Sequence, residues 1–410
     1  MRCTINSADI AFMIISSGLV MFMTPGLAMF YGGLVRHNNV LSIIMHNFVC
    51  MGVVAIIWLL FGYSLAFGPD VLGIIGGLKY VLLQNMMFNE SNVVSNIPSL
   101  LFCAFQLMFA IITPALITGA IAERMKFSSF FLFVVAWTIL VYNPICHWVW
   151  GGGWLQKLGA LDFAGGTVIH INAGVASLAC VILLGKREGF GKVPFTPNNL
   201  PLTLLGAGIL WFGWFGFNAG SSLGANALAT LAFINTHIAA GSAGIAWICA
   251  EWIHRGKPTT LGIASGIVAG LVAITPAAGF VSPVSSLFIG LLAGIFCYMG
   301  IFLKGIFKYD DALDVVGIHG IGGIWGGIAT GIFASKAWNP AGADGLIFGN
   351  IDLMIAQIIS ICAAIIYSFI ITFVILLIIK FFIGLRVSKE DEMKGLDITQ
   401  HYENAYKIES

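Results

Sequence analysis

The sequence DFAGGTVIHINAG at residues 162–174 is echoed by DALDVVGIHGIGG at residues 311–323. In both stretches a histidine follows the first aspartate by eight residues, and a glycine follows that histidine by four. His170 and His319 are flanked by apolar residues in segments long enough to cross a bilayer. A titratable side chain at membrane depth is costly and is typical of a pathway or a relay. The echo therefore predicts one site built from two copies of one unit.

The composition indicates an integral membrane protein. Of the 410 residues, 59% are hydrophobic and only 9% are charged, whereas soluble domains average about 25% charged residues. A net charge of +1 gives no reason to expect nucleic acid as a partner. The eight cysteines form no CxxC pair, so neither a zinc site nor a disulfide framework is predicted. No nucleophile elbow, phosphate loop or dinucleotide fingerprint stands in a credible context, so we expect no enzyme activity.

Apolar runs predict an all-α polytopic fold with eleven transmembrane helices, because each span needs about 20 apolar residues. The predicted helices are 9–35, 40–67, 99–121, 127–149, 162–184, 200–218, 227–251, 259–277, 283–303, 313–334 and 351–383. With the N-terminus outside, fifteen lysines and arginines lie inside and four outside. The positive-inside rule thus favours an outer N-terminus and a cytoplasmic C-terminus.

The histidines lie on the fifth and tenth predicted helices, so a second five-helix unit is inverted relative to the first. A shorter echo pairs Phe30-Tyr-Gly-Gly33 with Phe217-Asn-Ala-Gly220. Inverted repeats are typical of transporters, with the substrate path at the repeat interface. We predict a transmembrane domain over 1–383, with repeat one at about 9–184, repeat two at about 200–334 and a last helix at about 351–383. A polar tail follows at 384–410.

Three residues at outer helix ends have two interpretations each. Trp150 is either an interfacial belt residue or an indole face for a small cation. Ser221 is either a helix cap or a hydrogen-bond acceptor for an N–H donor. Asp162 either caps its helix or adds negative potential and orients backbone carbonyls, and one residue can do both.

Aromatic and histidine side chains predict the path itself. Phe105 and Phe109 share a helix face, and stacked rings from these and Phe217 would close a pore to hydrated ions. Two histidines at matching points of two repeats are best explained as a facing pair that passes a proton or hydrogen-bonds a small amine. A metal site is the rival hypothesis, but two histidines without a near-spaced third ligand match zinc sites poorly.

Over nearly its whole length, the chain resembles the ammonium transporters of the Amt/Mep/Rh family. The resemblance is carried by residues 24–36 (TPGLAMFYGGLVR), 119–124 (GAIAER), 147–153 (HWVWGGG), 162–172, 214–221 (WFGFNAGS) and 314–319 (DVVGIH). It implies an eleven-helix inverted-repeat fold, usually trimeric, with one pore in each subunit. The combination of Trp150 and Ser221 is similar to the Amt branch rather than the Rh branch.

The resemblance also implies a role for individual residues. Trp150 and Ser221 match an outer ammonium site, with Phe109 and the Ala164 carbonyl nearby and Asp162 in support. Phe109 and Phe217 match a paired-ring gate, and His170 and His319 match the twin histidines of the pore. The aromatic positions around the site and the pore are matched by Trp214 and Tyr142. Residues 392–397 resemble a tail motif that links subunits. Some microbial relatives are blocked from the cytoplasmic side by a PII-type regulator.

We therefore expect an ammonium transporter or channel in the cell (plasma) membrane, which also takes methylammonium as an analogue. The apolar bore would strip ammonium of a proton and pass ammonia, with the proton following a separate wet route. The alternatives are an ammonium sensor with the same fold, a channel for another neutral gas, and a membrane enzyme. We expect no output domain after residue 410, which disfavours the sensor.

Overall fold

The computed structural model describes residues 5–86 and 93–406, and within them the fold is a bundle of long helices. These are α1 Ser7–Leu34, α2 Val40–Phe67, α3 Ser99–Ile121, α4 127–150, α5 Gly166–Leu184, α6 Leu200–Gly220, α7 Ala227–Arg255, α8 Thr260–Ile274, α9 Pro283–Phe307, α10 Val316–Phe333 and α11 Ile351–Ile383. All but α8 are long and apolar enough to cross a bilayer. The prediction of an all-α polytopic membrane protein is confirmed.

Helix α8 is shorter than predicted. It has 15 residues and ends at Ile274 rather than at residue 277. Pro276 has no backbone N–H and cannot donate a further helical hydrogen bond, which accounts for the early end. Because a span needs about 20 residues, eleven crossings stay a prediction.

The two histidine helices begin later than predicted. Helix α5 begins at Gly166 rather than residue 162, after Gly165 with a φ of +116°. Helix α10 begins at Val316 rather than residue 313, after Asp314 with a φ of +63°. A residue with positive φ does not continue a right-handed helix. Both helices then open with one wide π-helical turn, Gly166–Ile171 and Val316–Ile321, and each turn holds a histidine.

The first helices of the two predicted repeats pack along each other and run antiparallel. An added Cβ at Gly206 would lie 2.3 Å from the Phe30 nitrogen, and one at Gly33 would lie 2.4 Å from the Asn199 oxygen. Earlier residues of α1 thus lie beside later residues of α6. Small residues permit this close packing in membrane helices, and the antiparallel direction is the one that an inverted repeat requires.

We call the end of the bundle that holds residues 68–86 and 93–98 the outer end, following the predicted orientation. Two short hairpins lie there, β1 Asp70–Val71 with β2 Ile75–Gly76, and β3 Val93–Val94 with β4 Ile97–Pro98. The Asp70 carboxylate accepts hydrogen bonds from His147 at 3.0 Å and Lys157 at 2.6 Å. These two bonds lower the pKa of Asp70 to about 2 and tie the first hairpin to α4. The stretch Asn89-Glu90-Ser91, which fits a glycosylation acceptor sequon, lies outside the described residues.

The inner end, which holds the tail, contains a buried ionic cluster. Arg187 donates to both carboxylate oxygens of Asp310, at 2.8 and 2.9 Å, and to Glu123 at 3.1 Å. Glu123 also accepts from Arg36 at 2.9 Å. Burial acts to raise the pKa of Asp310, but the hydrogen bonds and charge of Arg187 leave it below its ordinary value. The cluster joins loops from both predicted repeats.

The tail folds back onto this inner end through two short helices, α12 Lys389–Lys394 and α13 Leu396–His401. The Asp397 carboxylate accepts from the Ser42 nitrogen at 2.8 Å, at the start of α2. Glu392 accepts from Arg386 at 2.6 Å and from the Glu188 nitrogen at 2.7 Å. The motif at 392–397 therefore contacts its own chain.

Candidate functional site

His170 and His319 lie face to face in the middle of the bundle. Their Nδ1 atoms are 3.3 Å apart, and their rings are stacked with centroids 5.2 Å apart at 23°. Both side chains are buried. One Nδ1 must donate and the other accept, so the two neutral rings adopt opposite tautomers. The structure thus brings together the two residues that the sequence echo singles out.

Glycines in the same echo allow the two histidine helices to meet. An added Cβ at Gly174 would lie 2.3 Å from the Gly320 nitrogen, and one at Gly323 would lie 2.9 Å from the Ile171 nitrogen. Such distances are shorter than any real Cβ contact, so only glycine fits at Gly174. Each motif therefore supplies a histidine to the site and a glycine to the crossing that positions it.

The two imidazoles border a narrow apolar cavity, which we call the pore cavity. It offers about 10 Å³ to a water-sized sphere, which is room for about one water molecule. Trp214 stacks on His170 with ring centroids 5.4 Å apart, and its indole N–H donates to Thr275 at 2.9 Å. The other lining residues are Met23, Leu27, Phe30, Tyr31, Ile112, Leu116, Leu210, Phe217, Val268, Leu313, Val315 and Ile318.

A pair of phenylalanine rings separates the pore cavity from a second cavity at the outer end. Phe109 borders the outer cavity and Phe217 borders the pore cavity. Their ring centroids are 4.4 Å apart at 36°. Phe105 lies behind Phe109, with centroids 4.7 Å apart, and borders neither cavity. Phe105 therefore packs against Phe109, and its role in the pore stays a prediction.

The outer cavity has a volume of about 260 Å³ and contains the predicted outer residues Trp150, Ser221 and Phe109. The Trp150 indole N–H donates to the Asp162 carbonyl at 2.8 Å, which fixes the ring at the cavity wall. The Ser221 hydroxyl donates to the Phe217 carbonyl at 2.9 Å, so its oxygen lone pairs remain for accepting. Ser221 also ends α6 as its C-cap, and its role as an acceptor for an N–H donor stays a prediction.

Asp162 organises the backbone beneath this cavity. Its carboxylate oxygens accept from the N–H groups of Gly165, Gly166, Thr167 and Val168, at 2.6 to 3.1 Å. Burial raises the pKa of Asp162, and these four donors oppose that rise by favouring the carboxylate. Asp162 lies in the loop before α5 rather than on its first turn, yet it satisfies the free N–H groups at the start of that helix. Ala164, whose carbonyl was predicted near the site, is buried within the same loop.

Tyr142 does not border the pore cavity or the outer cavity. It is fully buried on α4, where its ring centroid lies 6.5 Å from that of Trp58. Helix α4 turns this side chain into the core of repeat one, and its role around the site and the pore stays a prediction.

The lining residues of the outer cavity that sequence reasoning missed include Phe102, Gln106 and Phe163. Gln106 is 8% exposed and lies one turn before Phe109 on α3. A lone amide in an otherwise apolar helix was the signal that could have found it. The two phenylalanines carry no such signal among the 32 in the chain.

A third cavity opens at the inner end, on the other side of the histidines. This inner cavity has a volume of about 360 Å³, and its lining includes the charged residues Arg187, Lys304, Asp310 and Asp314. Phe30, Leu313 and Ile318 border both this cavity and the pore cavity. Outer cavity, ring pair, histidine pair and inner cavity thus follow one another through the subunit.

Comparisons with known proteins agree with this architecture. The family model described as the Ammonium Transporter Family matches residues 11–406. The "Ammonium transporter" of Bacillus subtilis is 53% identical over 97% of this chain and 98% of its own length. The crystal structure of Saccharomyces cerevisiae Mep2 has a TM-score of 0.89 at 34% identity, covering 95% of this chain and 89% of that one. A solved structure titled "Sensor Amt Protein" has the same TM-score at 30% identity, covering 96% and 98%. The chain belongs to the ammonium transporter family.

Proposed function

We propose that this protein carries ammonium across the cell membrane by taking up the ion at the outer cavity and passing ammonia through the pore cavity. The observation that supports this most directly is the pair of facing imidazoles, 3.3 Å apart, in an apolar cavity behind two stacked phenylalanines. Methylammonium is the analogue for measurement.

The outer cavity suits a small cation with N–H donors. The Trp150 and Phe109 rings meet edge to face with centroids 6.0 Å apart, and a cation over an aromatic face gains about 0.5–2 kcal/mol. The lone pairs of Ser221 would accept one N–H of ammonium. Potassium has a similar charge and size but no donor, so this site favours ammonium.

The gate and the pore cavity favour ammonia over the ion. A cavity for about one water molecule, with mostly apolar walls, cannot rehydrate a charge, and desolvation disfavours the charged form. Ammonium therefore gives up a proton before the rings of Phe109 and Phe217. The opposite tautomers of His170 and His319 then offer both a donor and an acceptor to ammonia. The proton follows a separate route.

The remaining parts of the proposal concern the assembly. The chain forms two inverted repeats, about 9–184 and 200–334. The distribution of lysine and arginine supports an outer N-terminus and a cytoplasmic tail at residues 384–410. The subunits form a homotrimer in the lipid bilayer, with one pore each. A PII-type regulator at the cytoplasmic face would meet the tail and the inner cavity.

The first test is uptake of labelled methylammonium into proteoliposomes, with the current recorded. We expect saturable uptake by the wild-type protein, and loss of uptake or of discrimination against potassium in His170→Leu and His319→Leu. His237→Leu is the matched control, because that exposed ring stacks on Trp211 at 5.2 Å and borders neither the pore cavity nor the outer cavity. Wild-type uptake and selectivity in both pore variants would contradict the role of the pair.

An ammonium sensor is the second candidate, and the likeness to the "Sensor Amt Protein" structure favours it. A sensor would bind ammonium without moving it. Saturable binding to the purified protein with no flux in proteoliposomes would support the sensor, whereas flux would support the transporter.

A further inference from the structure

The two aspartates that open the echoed motifs differ in how their oxygens are used. Asp162 accepts four backbone N–H groups. Asp311 accepts through Oδ2 from the Val316 nitrogen at 2.7 Å, with the Val315 N–H also close enough to favour the charge. Its Oδ1 is buried, and among residues 5–86 and 93–406 it has no hydrogen-bond partner. A buried carboxylate oxygen without a donor is costly unless the group takes up a proton.

Charged and titratable groups surround Asp311 from several elements. Lys304 on α9 donates to the Asp311 carbonyl at 3.0 Å and pairs with the carboxylate of Asp314. The charge of Asp311 also interacts with Tyr31 on α1 and with Tyr309 in the loop before α10. It interacts as well with Arg124, which follows α3. Burial, opposed by Lys304 and reinforced by Asp314, raises the pKa of Asp311 to about 6. The carboxyl group therefore changes its charge near neutral pH.

The position of Asp311 links the two cavities on the cytoplasmic side of the histidines. Leu313 and Val315 border the pore cavity, as does Tyr31. The neighbours Asp310 and Ala312 border the inner cavity, as does Lys304. Asp311 itself is fully buried between these linings. A charge on Asp311 therefore interacts with one residue of each lining, Tyr31 of the pore cavity and Lys304 of the inner cavity.

We propose that Asp311 holds the transported proton at the inner end of the pore, taking it up as the carboxylate and returning it to ammonia in the inner cavity. This inference rests on the proposed transport of ammonium. The steps balance: ammonium splits into ammonia and a proton, the Asp311 carboxylate plus that proton becomes the neutral acid, and the acid plus ammonia restores carboxylate and ammonium. No electron is transferred and no further reactant is consumed.

Infrared difference spectroscopy on the reconstituted full-length protein tests this directly. We expect a protonated-carboxyl band that disappears as the pH rises through about 6 and that is absent from Asp311→Asn. Asp314→Asn is the matched control. It should keep the band but lower its midpoint, since the charge of Asp314 raises the pKa of Asp311. A band that persists unchanged in Asp311→Asn would overturn the proposal.

A transport measurement is the second test of the role of Asp311. Proton transfer by a positioned side chain contributes about 10²-fold or more, so Asp311→Asn should lower methylammonium current at least about tenfold and flatten its dependence on internal pH. Asp311→Glu, which keeps the carboxyl group, should restore both in part and also serves if the asparagine variant does not fold. A wild-type pH profile in Asp311→Asn would refute the role of Asp311 and leave the proposed transport of ammonium standing. Absence of flux from the wild-type protein would instead refute the proposed function, while the infrared arm still tests Asp311.

Discussion

At the scale of single residues, the outer cavity is held in shape by hydrogen bonds that leave its binding groups free. The Trp150 N–H is bound to the Asp162 carbonyl at 2.8 Å, so the ring is fixed while its face borders the cavity. The Ser221 hydrogen is bound to the Phe217 carbonyl, so its lone pairs remain. A site fixed in this way loses little side-chain entropy when a small ion enters.

We predict that Trp150→Leu weakens ammonium uptake at the outer cavity. Loss of a cation–π contact of about 0.5–2 kcal/mol should raise the half-saturating concentration of methylammonium about 2- to 30-fold, since 1.4 kcal/mol is tenfold. The maximal rate should change less, because Trp150 does not border the pore cavity. The measurement is the concentration dependence of uptake into proteoliposomes.

Trp154→Leu is the control for an interfacial role of tryptophan, since Trp154 is 37% exposed at the same end and does not border the outer cavity. Trp150→Phe keeps a π face and should fall between the wild-type protein and Trp150→Leu. Equal half-saturation in all three variants would leave Trp150 as a belt residue only.

At the scale of elements, the histidine pair depends on two helices that cross without side chains between them. The π-helical turns at 166–171 and 316–321 lie directly before the crossing, and such turns are frequent at functional sites. Gly174 and Gly320 then meet backbone to backbone. The relative position of the two imidazole rings thus depends on the short distance between α5 and α10.

Gly174→Ala should therefore destabilise the protein by about 1–3 kcal/mol, the usual cost of overpacking, because its Cβ would lie 2.3 Å from the Gly320 nitrogen. The expected readout is a lower midpoint of thermal unfolding in detergent, together with reduced uptake as the imidazoles separate. Gly52→Ala on α2 is the matched control, since no atom lies within 4 Å of its added Cβ. An unchanged midpoint in Gly174→Ala would show that the crossing relaxes easily.

The sequence predicts most elements of this fold and only part of the site. Long apolar runs place the helices to within a few residues, and the repeated motif identifies His170 and His319. The starts of α5 and α10 were misplaced because positive φ at Gly165 and Asp314 leaves no trace in hydropathy. Phe102 on α3 was missed because helices in lipid are apolar on every face. No periodicity then distinguishes the side that borders a cavity.

At the scale of the whole molecule, the tail is joined to the same structure that borders the inner cavity. Asp397 contacts the start of α2, and the Tyr406 hydroxyl donates to Asn198 at 2.7 Å. Asn198 follows Pro197, which borders the inner cavity, and Arg187 in the same loop is held by Asp310. The position of the tail is therefore coupled to the loop at residues 185–199.

Removal of residues 385–410 should change the rate or the regulation of uptake while leaving the helical bundle folded. The physical reason is that the loop would lose its contacts with Glu392 and Tyr406, whereas the residues that border the pore cavity all precede residue 385. Uptake into proteoliposomes and the unfolding midpoint are measured together.

Asp397→Ala is the finer variant. It removes one cap at the start of α2, worth about 0.5–2 kcal/mol, and should shift uptake in the same direction with the tail still present. If both variants transport at the wild-type rate and respond to cytoplasmic extract as the wild type does, the tail has no control over the pore.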